Sequence, residues 1–292
     1  MALKWELDGA DWPNREQSHF IQTKDLNFHV QIMGQGPTLI LVHGTGSSSH
    51  SWHRIMPLLA NKFTVVVPDL PLHGFTGGPP IRRFAGLSGM VESLTCLCNV
   101  LNITPDLLVG HSAGAAICLE MVRTGLVPSN TPVMAFNPAL TPFPGPAAKI
   151  FPRMAKTLML NPVVPRIFSS VAAFSGTPKH FLASSTGSYP DAISLSCYGK
   201  LFANPHHTRG ALAMMAHWDL VSFSDTLDEI TCPVHLIHSR GDLSIPLVSV
   251  EEAVTRMPNA RLEIWDRFGH LAHEEAPKRA ALAIQDFVKS HT

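Results

Sequence analysis

The apolar run Leu107–Gly110 leads straight into Gly110-His111-Ser112-Ala113-Gly114, and a segment of helical length, Ala113–Thr124, follows. No other stretch constrains the fold as much. A serine on a G-x-S-x-G turn between a buried strand and a helix occupies a sharp, strained corner that glycine on either side makes possible. An ordinary glycine-rich turn is the plain alternative, and the strand-before, helix-after setting argues against it. The rest of the first half supplies the sheet that such a corner needs. His19–Thr23 and Asn27–Met33 read as a hairpin around Lys24–Leu26. Thr38–Val42, Thr64–Val67 and Pro132–Phe136 are short apolar runs of the kind found in strands buried on both faces. Trp52–Ala60 and Leu87–Leu101 have helical length between them. Such alternation predicts a mainly parallel sheet with helices on both faces.

The pattern breaks at about Ala139. From there to Ser224 the chain is rich in Pro, Phe, Met and Ala and carries no strand signal, so several short helices are expected. Alternation resumes with a strand at Val234–His238, a helix near Val248–Met257, a strand at Arg261–Trp265 and a closing helix over Pro277–Lys289. The predicted organisation is a core of residues 1–138 and 225–292, with residues 139–224 inserted between two strands as a helical cap.

A serine hydroxyl is a poor nucleophile without a neighbouring base. Arg240-Gly241-Asp242 and Phe268-Gly269-His270 each follow a predicted strand, at the carboxyl edge where open parallel sheets bind ligands. The chain order Ser112, Asp242, His270 is that of the α/β-hydrolase fold. His270 would take the Ser112 proton, and Asp242 would hold the imidazole in its tautomer. Asp219 and Asp228 are competing acids, but neither ends a strand. His43-Gly44-Thr45-Gly46 follows another strand end, and the N–H groups of Thr45 and Ala113 are candidates for an oxyanion hole. Asp69–Gly74 reads as a structural turn lining the site. His270 and His273 have helical spacing, yet the run is not H-E-x-x-H and offers no third metal ligand. His273 is expected to pack or to cap the last helix, and His206-His207 to lie at the surface. No nucleotide or metal motif is present, so no bound cofactor is expected.

Apolar residues make up 45% of the chain and charged residues 15%, a globular composition. Lysine plus arginine equals aspartate plus glutamate, 22 against 22, which argues against a nucleic-acid partner. The balance is uneven: Ala139–Trp218 holds seven bases and one acid, Asp191, a local excess of +6. Within it Lys149, Arg153 and Lys156 share one helical face, which suits a membrane surface or an acidic ligand as well as a simply solvated exterior. Pro162–Phe174 is apolar enough to line a greasy pocket. Together these favour a large hydrophobic ligand bearing carboxylates. The five cysteines are odd in number and lack paired zinc-site spacing, so reduced, buried thiols are expected. The first residues lack a signal-peptide run and no stretch of 18 apolar residues occurs. A cytoplasmic protein is expected, with peripheral contact to the inner membrane through the basic cap.

Several blocks resemble the BchO family of α/β-hydrolase relatives: Trp5-Glu-Leu-Asp-Gly9, Asp11-Trp-Pro-Asn-Arg15, His29-Val-Gln31, His43-Gly-Thr-Gly46, His50-Ser-Trp52, Pro68-Asp-Leu-Pro-Leu-His-Gly-Phe-Thr76, Gly110-His-Ser-Ala-Gly-Ala-Ala116 and Gly269-His-Leu-Ala-His-Glu-Glu275. The serine turn and the His-Gly motif are generic to the fold; the N-terminal block and the run to Trp52 are more particular. Leu72 departs from the usual pattern, which has glycine there. The resemblance implies a magnesium-chelatase accessory protein of bacteriochlorophyll synthesis. Two functions fit it: a serine hydrolase acting on an ester or related acyl bond in tetrapyrrole metabolism, or a scaffold that binds a porphyrin or assists the chelatase without turnover. A generic carboxylesterase is a third.

Overall fold

The computed structural model describes residues 3–79, 82–142, 167, 169–171 and 177–291. Eight strands form one sheet in the order β1-β2-β4-β3-β5-β6-β7-β8. They are β1 (Ser18–Gln22), β2 (Asn27–Met33), β3 (Thr38–Val42), β4 (Thr64–Pro68), β5 (Leu107–His111), β6 (Val133–Phe136), β7 (Val234–Ser239) and β8 (Ala260–Trp265). β1 pairs antiparallel with β2 and β2 antiparallel with β4; every later pairing is parallel. β5, β6 and β7 are buried at every position; β6 and the first four residues of β5 accordingly read as unbroken runs without polar side chains, whereas β7 buries His235 and His238 among its apolar residues.

Alternation is still present, sorted between two cores. Ile40, Val42, Val66 and Leu108 face one side, where they meet Met90 and Leu94 of α3 (Leu87–Leu101) and Ile117 of α4 (Ala113–Arg123). Leu39, Leu41, Val65, Val67 and Val109 face the other, against Trp52, Met56 and the Ile284 and Phe287 face of α11 (Pro277–Lys289). The period-two geometry of a strand thus places successive apolar residues in opposite layers.

The single helix expected over Trp52–Ala60 does not form. The chain makes a 3₁₀ turn, Ser49–Trp52, and then one helical turn, α2 (Met56–Leu59). Pro57, which has no N–H to give an upstream carbonyl, sits in the first turn of α2, where that loss costs nothing. A further short helix, α1 (Trp5–Asp8), lies at the N-terminus.

Between β6 and β7 the described residues carry helices and no strand. Among them are α5 (Thr177–Thr186), α6 (Ala192–Phe202), α7 (Pro205–His217) and α8 (Leu220–Ser224). Three of them start on polar caps. Asp191 accepts from the Ser194 N–H, Asn204 from those of His206 and His207, and Asp219 from that of Ser222. The basic face of Lys149, Arg153 and Lys156 and most of Pro162–Phe174 lie outside the described residues. α9 (Leu247–Arg256) and α10 (Ala272–Glu275) complete the chain before α11. Among the described residues no helix is long and apolar enough to cross a membrane. All five cysteines are free, and Cys98, Cys118, Cys197 and Cys232 are buried.

Two buried polar centres tie loops to this frame. Asp69 accepts from His29 Nδ1 at 2.8 Å and from the N–H groups of Phe75 and Ser49 at 2.8 and 2.6 Å. Burial alone would raise its pKa, but the imidazole and these donors outweigh that and hold it well below the ordinary carboxylate value. Gly74 closes this turn at φ +51°, and a Cβ there would fall 2.1 Å from Asp69 Oδ2. Leu72, in the same turn, adopts φ +67° and so pays the left-handed penalty that glycine avoids.

The second centre is Glu274, which is buried in α10. Its Oε1 accepts from Ser51 Oγ at 2.5 Å and from the Tyr198 hydroxyl at 2.7 Å, while Ser51 Oγ also contacts His273 Nε2 at 2.8 Å. Burial dominates over these donors and pushes the Glu274 carboxyl up to about 7. A carboxyl whose folded pKa is raised binds more protons folded than unfolded, so stability falls as pH rises from its unfolded pKa to its folded one. Glu274→Gln, which keeps an oxygen for Ser51 and Tyr198, is therefore expected to melt at or above the wild-type temperature at pH 8. The difference should shrink toward pH 5, as read by calorimetric melting across that range.

Candidate active site

β5 ends at His111 and α4 begins at Ala113, leaving Ser112 alone on the corner with φ +52° and ψ −118°. A non-glycine residue at positive φ is strained, and packing holds this one in place. A Cβ on Gly110 would lie 2.5 Å from Ala115 Cα, and one on Gly114 would lie 2.4 Å from the Val42 carbonyl oxygen. Both flanking glycines are therefore demanded by close main-chain approach. The Ser112 N–H donates to the Phe136 carbonyl of β6 at 3.1 Å, and its own carbonyl accepts from Ala115 and Ala139.

Asp242 follows β7, and His270 follows β8. His270 Nδ1 lies 2.8 Å from Asp242 Oδ2, and the carboxylate is wholly buried. Asp242 Oδ1 accepts the Ser244 and Ile245 N–H groups at 2.7 and 2.9 Å, and Oδ2 also accepts Asn137 Nδ2 at 2.9 Å. Burial opposes ionisation, yet the imidazole and these donors more than compensate, so the Asp242 carboxyl stays below its ordinary pKa. The buried carboxylate thus fixes the proton on His270 Nδ1 and leaves Nε2 as the basic nitrogen.

Ser112 and His270 line the same cavity, of about 380 Å³, which Thr45 also borders. Phe181, Phe202, Leu212 and Met215, from α5, α6 and α7, make its walls chiefly apolar. The His43–Gly46 loop comes close to the serine, since a Cβ on Gly44 would stand 2.9 Å from Ser112 Cβ. His43 holds that loop. Its Nδ1 donates to the Gly44 carbonyl at 2.8 Å, and its Nε2 accepts the Leu70 N–H at 2.9 Å. Burial lowers its pKa, which keeps it in the neutral form these two bonds require. Thr45 Oγ1 donates to Met214 Sδ at 3.3 Å. Ala113 is buried at the first position of α4, so its N–H has no intrahelical acceptor.

The competing acids lie elsewhere. Asp219 caps α8, and Asp228 pairs with Arg256 at 2.9 Å on the surface. His273 is buried and packs its ring 4.3 Å from that of His111. The expectation that His206 and His207 sit at the surface fails for His207, which is only 2% exposed and lines the cavity. The Asn204 cap starts α7 so that His207 points inward, where its Nε2 donates to the Gly46 carbonyl and its Nδ1 accepts the Gly74 N–H. Burial pulls this imidazole down to about 4, which keeps it neutral. Of the seven bases in the positively charged stretch, Lys179, Lys200 and Arg209 are described. Lys200 is bonded to the Asp8 carbonyl and Asp11, and none of the three lines the cavity.

Several contributors were missed from sequence. Asn137 supports Asp242, and His111 Nε2 donates to the His270 carbonyl at 2.9 Å. Tyr198 forms part of the cavity wall. Asn137 carried a usable sign, a polar residue directly after the apolar strand Val133–Phe136. Tyr198 carried none, since it sits within a helix of unremarked pattern.

Residues 39–283 match the alpha/beta hydrolase family. A magnesium-chelatase 30 kDa subunit of Rhodobacter capsulatus is 36% identical over 96% of this chain and 97% of its own length. A pimeloyl-[acyl-carrier protein] methyl ester esterase of Aromatoleum aromaticum is 27% identical, covering 87% of this chain and 98% of that one. Among solved structures, an esterase from Exiguobacterium antarcticum superposes with a TM-score of 0.75 at 19% identity, over 92% of this chain and 98% of its own. An alpha/beta hydrolase fold protein from Burkholderia ambifaria gives 0.73 at 22% identity, over 92% and 99%. The strand order, the corner at residue 112 and these likenesses agree, and the chain belongs to the BchO family within the α/β-hydrolase superfamily.

Proposed function

We propose that this protein is a serine hydrolase that cleaves an ester or related acyl bond of a hydrophobic compound in tetrapyrrole metabolism, alongside magnesium chelatase. The observation that carries the reading is the Asp242–His270 bond at the rim of the apolar cavity that Ser112 also borders. In the proposed reaction the Ser112 oxygen bonds to the acyl carbon and its proton passes to His270 Nε2. The C–O bond to the leaving alcohol breaks as His270 returns that proton to it. Water then attacks the acyl-enzyme by the same route, releasing the acid and restoring Ser112. The N–H groups of Thr45 and Ala113 would receive the developing oxyanion, and Asp242 would stabilise the imidazolium without taking its proton. The esterase among the relatives supports the acyl-bond chemistry. The chelatase name of the Rhodobacter relative supports the metabolic setting.

That same name favours a second reading, a scaffold that assists the chelatase without turnover. A fluorophosphonate probe and complementation of a deletion strain separate the two. Labelling that disappears in Ser112→Ala, with pigment not restored by that variant, is the expected result. Full restoration of pigment by Ser112→Ala would identify a scaffold. Should a nitrophenyl ester be turned over, Asp242→Asn is expected to lower kcat by about 10⁴-fold, because the wrong tautomer is then favoured.

The walls also predict a preference. For nitrophenyl esters of increasing acyl length, kcat/KM should rise about fourfold per added methylene until the cavity is filled. Ala211→Phe, which adds bulk to a cavity-lining position, should move the best substrate to a shorter chain. A profile flat with length would show that the acyl group binds outside the cavity.

A further inference from the structure

The last residues of α5 and the turn they lead into, residues 185–189, are bonded to both loops that carry the His–Asp pair. The Thr186 carbonyl accepts the N–H of His270 itself at 2.8 Å and that of Leu243 at 3.4 Å. The Ser185 carbonyl accepts Ser244 Oγ at 2.9 Å. Buried Ser188 accepts the Leu271 N–H at 2.8 Å through Oγ and donates from the same atom to Glu275 Oε2 at 3.1 Å. Glu275 closes the arrangement. Its Oε2 also accepts the Gly269 N–H at 2.8 Å, and its Oε1 accepts the Tyr189 N–H at 3.0 Å. One carboxylate therefore grips the residue before His270 and the turn beside it, through charge-assisted bonds that are stronger than neutral ones.

Main chain meets main chain at the centre of this arrangement. A Cβ on Gly187, at φ +71°, would fall 2.3 Å from the Gly241 carbonyl oxygen, and one on Gly269 would fall 2.4 Å from the Gly187 carbonyl carbon. Gly187, Gly241 and Gly269 precede Ser188, Asp242 and His270. The close contact therefore lies one residue from each member of the pair. At its other end the turn continues into α5, whose Phe181, Leu182 and Thr186 line the cavity. The 185–189 turn thus joins the cavity wall to the backbone of His270.

We propose that this turn, clamped by Glu275, is the device that positions His270, so that Glu275, Ser188 and Gly187 are positioning residues for the base. The catalytic consequence rests on the hydrolase reading above; the clamp itself does not. Its physical basis is that catalytic geometry tolerates displacements of only a fraction of an ångström before rate is lost. The bonds at Gly269, His270 and Leu271 fix three consecutive backbone N–H groups around the imidazole.

The test uses the full chain and an alkyl fluorophosphonate, with the dependence of the labelling rate on probe concentration resolved into a maximal rate and a half-saturating concentration. Melting temperature and amide hydrogen exchange over residues 268–271 are read on the same samples. Glu275→Ala is expected to lower the maximal rate about ten- to a hundredfold. The half-saturating concentration should stay within about twofold, since the cavity is untouched. Exchange at Gly269–Leu271 should accelerate. Glu275→Gln, which keeps one oxygen acceptor, should recover part of the rate, and Gly187→Ala should mimic Glu275→Ala. Ser184→Ala, whose hydroxyl bonds only within α5 on the exposed side, should leave all readouts unchanged. A folded Glu275→Ala that labels at the wild-type maximal rate overturns the proposal. If the wild type is not labelled at all, the hydrolase reading fails and exchange decides the clamp. Faster exchange at 269–271 in Glu275→Ala or Glu275→Gln supports it, and unchanged protection in both overturns it.

Discussion

The close approach of three main-chain segments around Ser112 governs the rest of this structure. Gly110 presses against the start of α4, Gly114 against the end of β3, and Gly44 against the serine's own Cβ. None of these contacts leaves room for a side chain. The first two are backbone contacts, and they seat the end of β5 and the end of β3 directly against the start of α4. The strained φ of +52° at Ser112 persists because its surroundings over-determine it. Sheet, corner and His-Gly loop therefore form one rigid body on which everything else is mounted.

The acid and the base are mounted differently. Asp242 is saturated: two backbone N–H groups, one amide and one imidazole occupy its two oxygens. Buried carboxylates are costly unless their bonding capacity is filled in this way. His270 owes its ring orientation to Asp242 and its backbone to bonds from outside the sheet. The two halves of the proposed chemistry thus rest on unlike supports, a packed corner for the nucleophile and a web of polar bonds for the base.

Much of this was legible in the sequence, for physical reasons that differ by element. Central strands announce themselves because burial on both faces demands unbroken apolar runs, as in Leu107–Gly110 and Thr38–Val42. Leu87–Leu101 and Pro277–Lys289 show their helical period over enough residues to fix both ends. The serine turn is legible because its glycines are sterically compelled. By contrast, the stretch Trp52–Ala60 misled, since a segment with Pro57 inside it has helical length but not continuity. His207 misled because a histidine pair reads as polar until a cap fixes which way the helix turns. Tyr198 meets Glu274, and Glu275 meets Ser188 and Tyr189, across more than 70 positions of chain, for which local sequence carries no signal; only the Glu275 bond to Gly269 is local.

Leu72 and Gly210 illustrate what such long-range contacts decide. A Cβ on Gly210 would stand 2.1 Å from the Leu72 carbonyl oxygen, so α7 rests directly on the loop below it, backbone on backbone. The turn after α5 is likewise seated on glycine against glycine. The described helices therefore behave as an arch with two stone footings. Both footings are main chain on main chain, whereas Phe181, Leu212 and Met215 reach the cavity as side chains. Exchanging those pendants would change what the cavity admits without moving either footing.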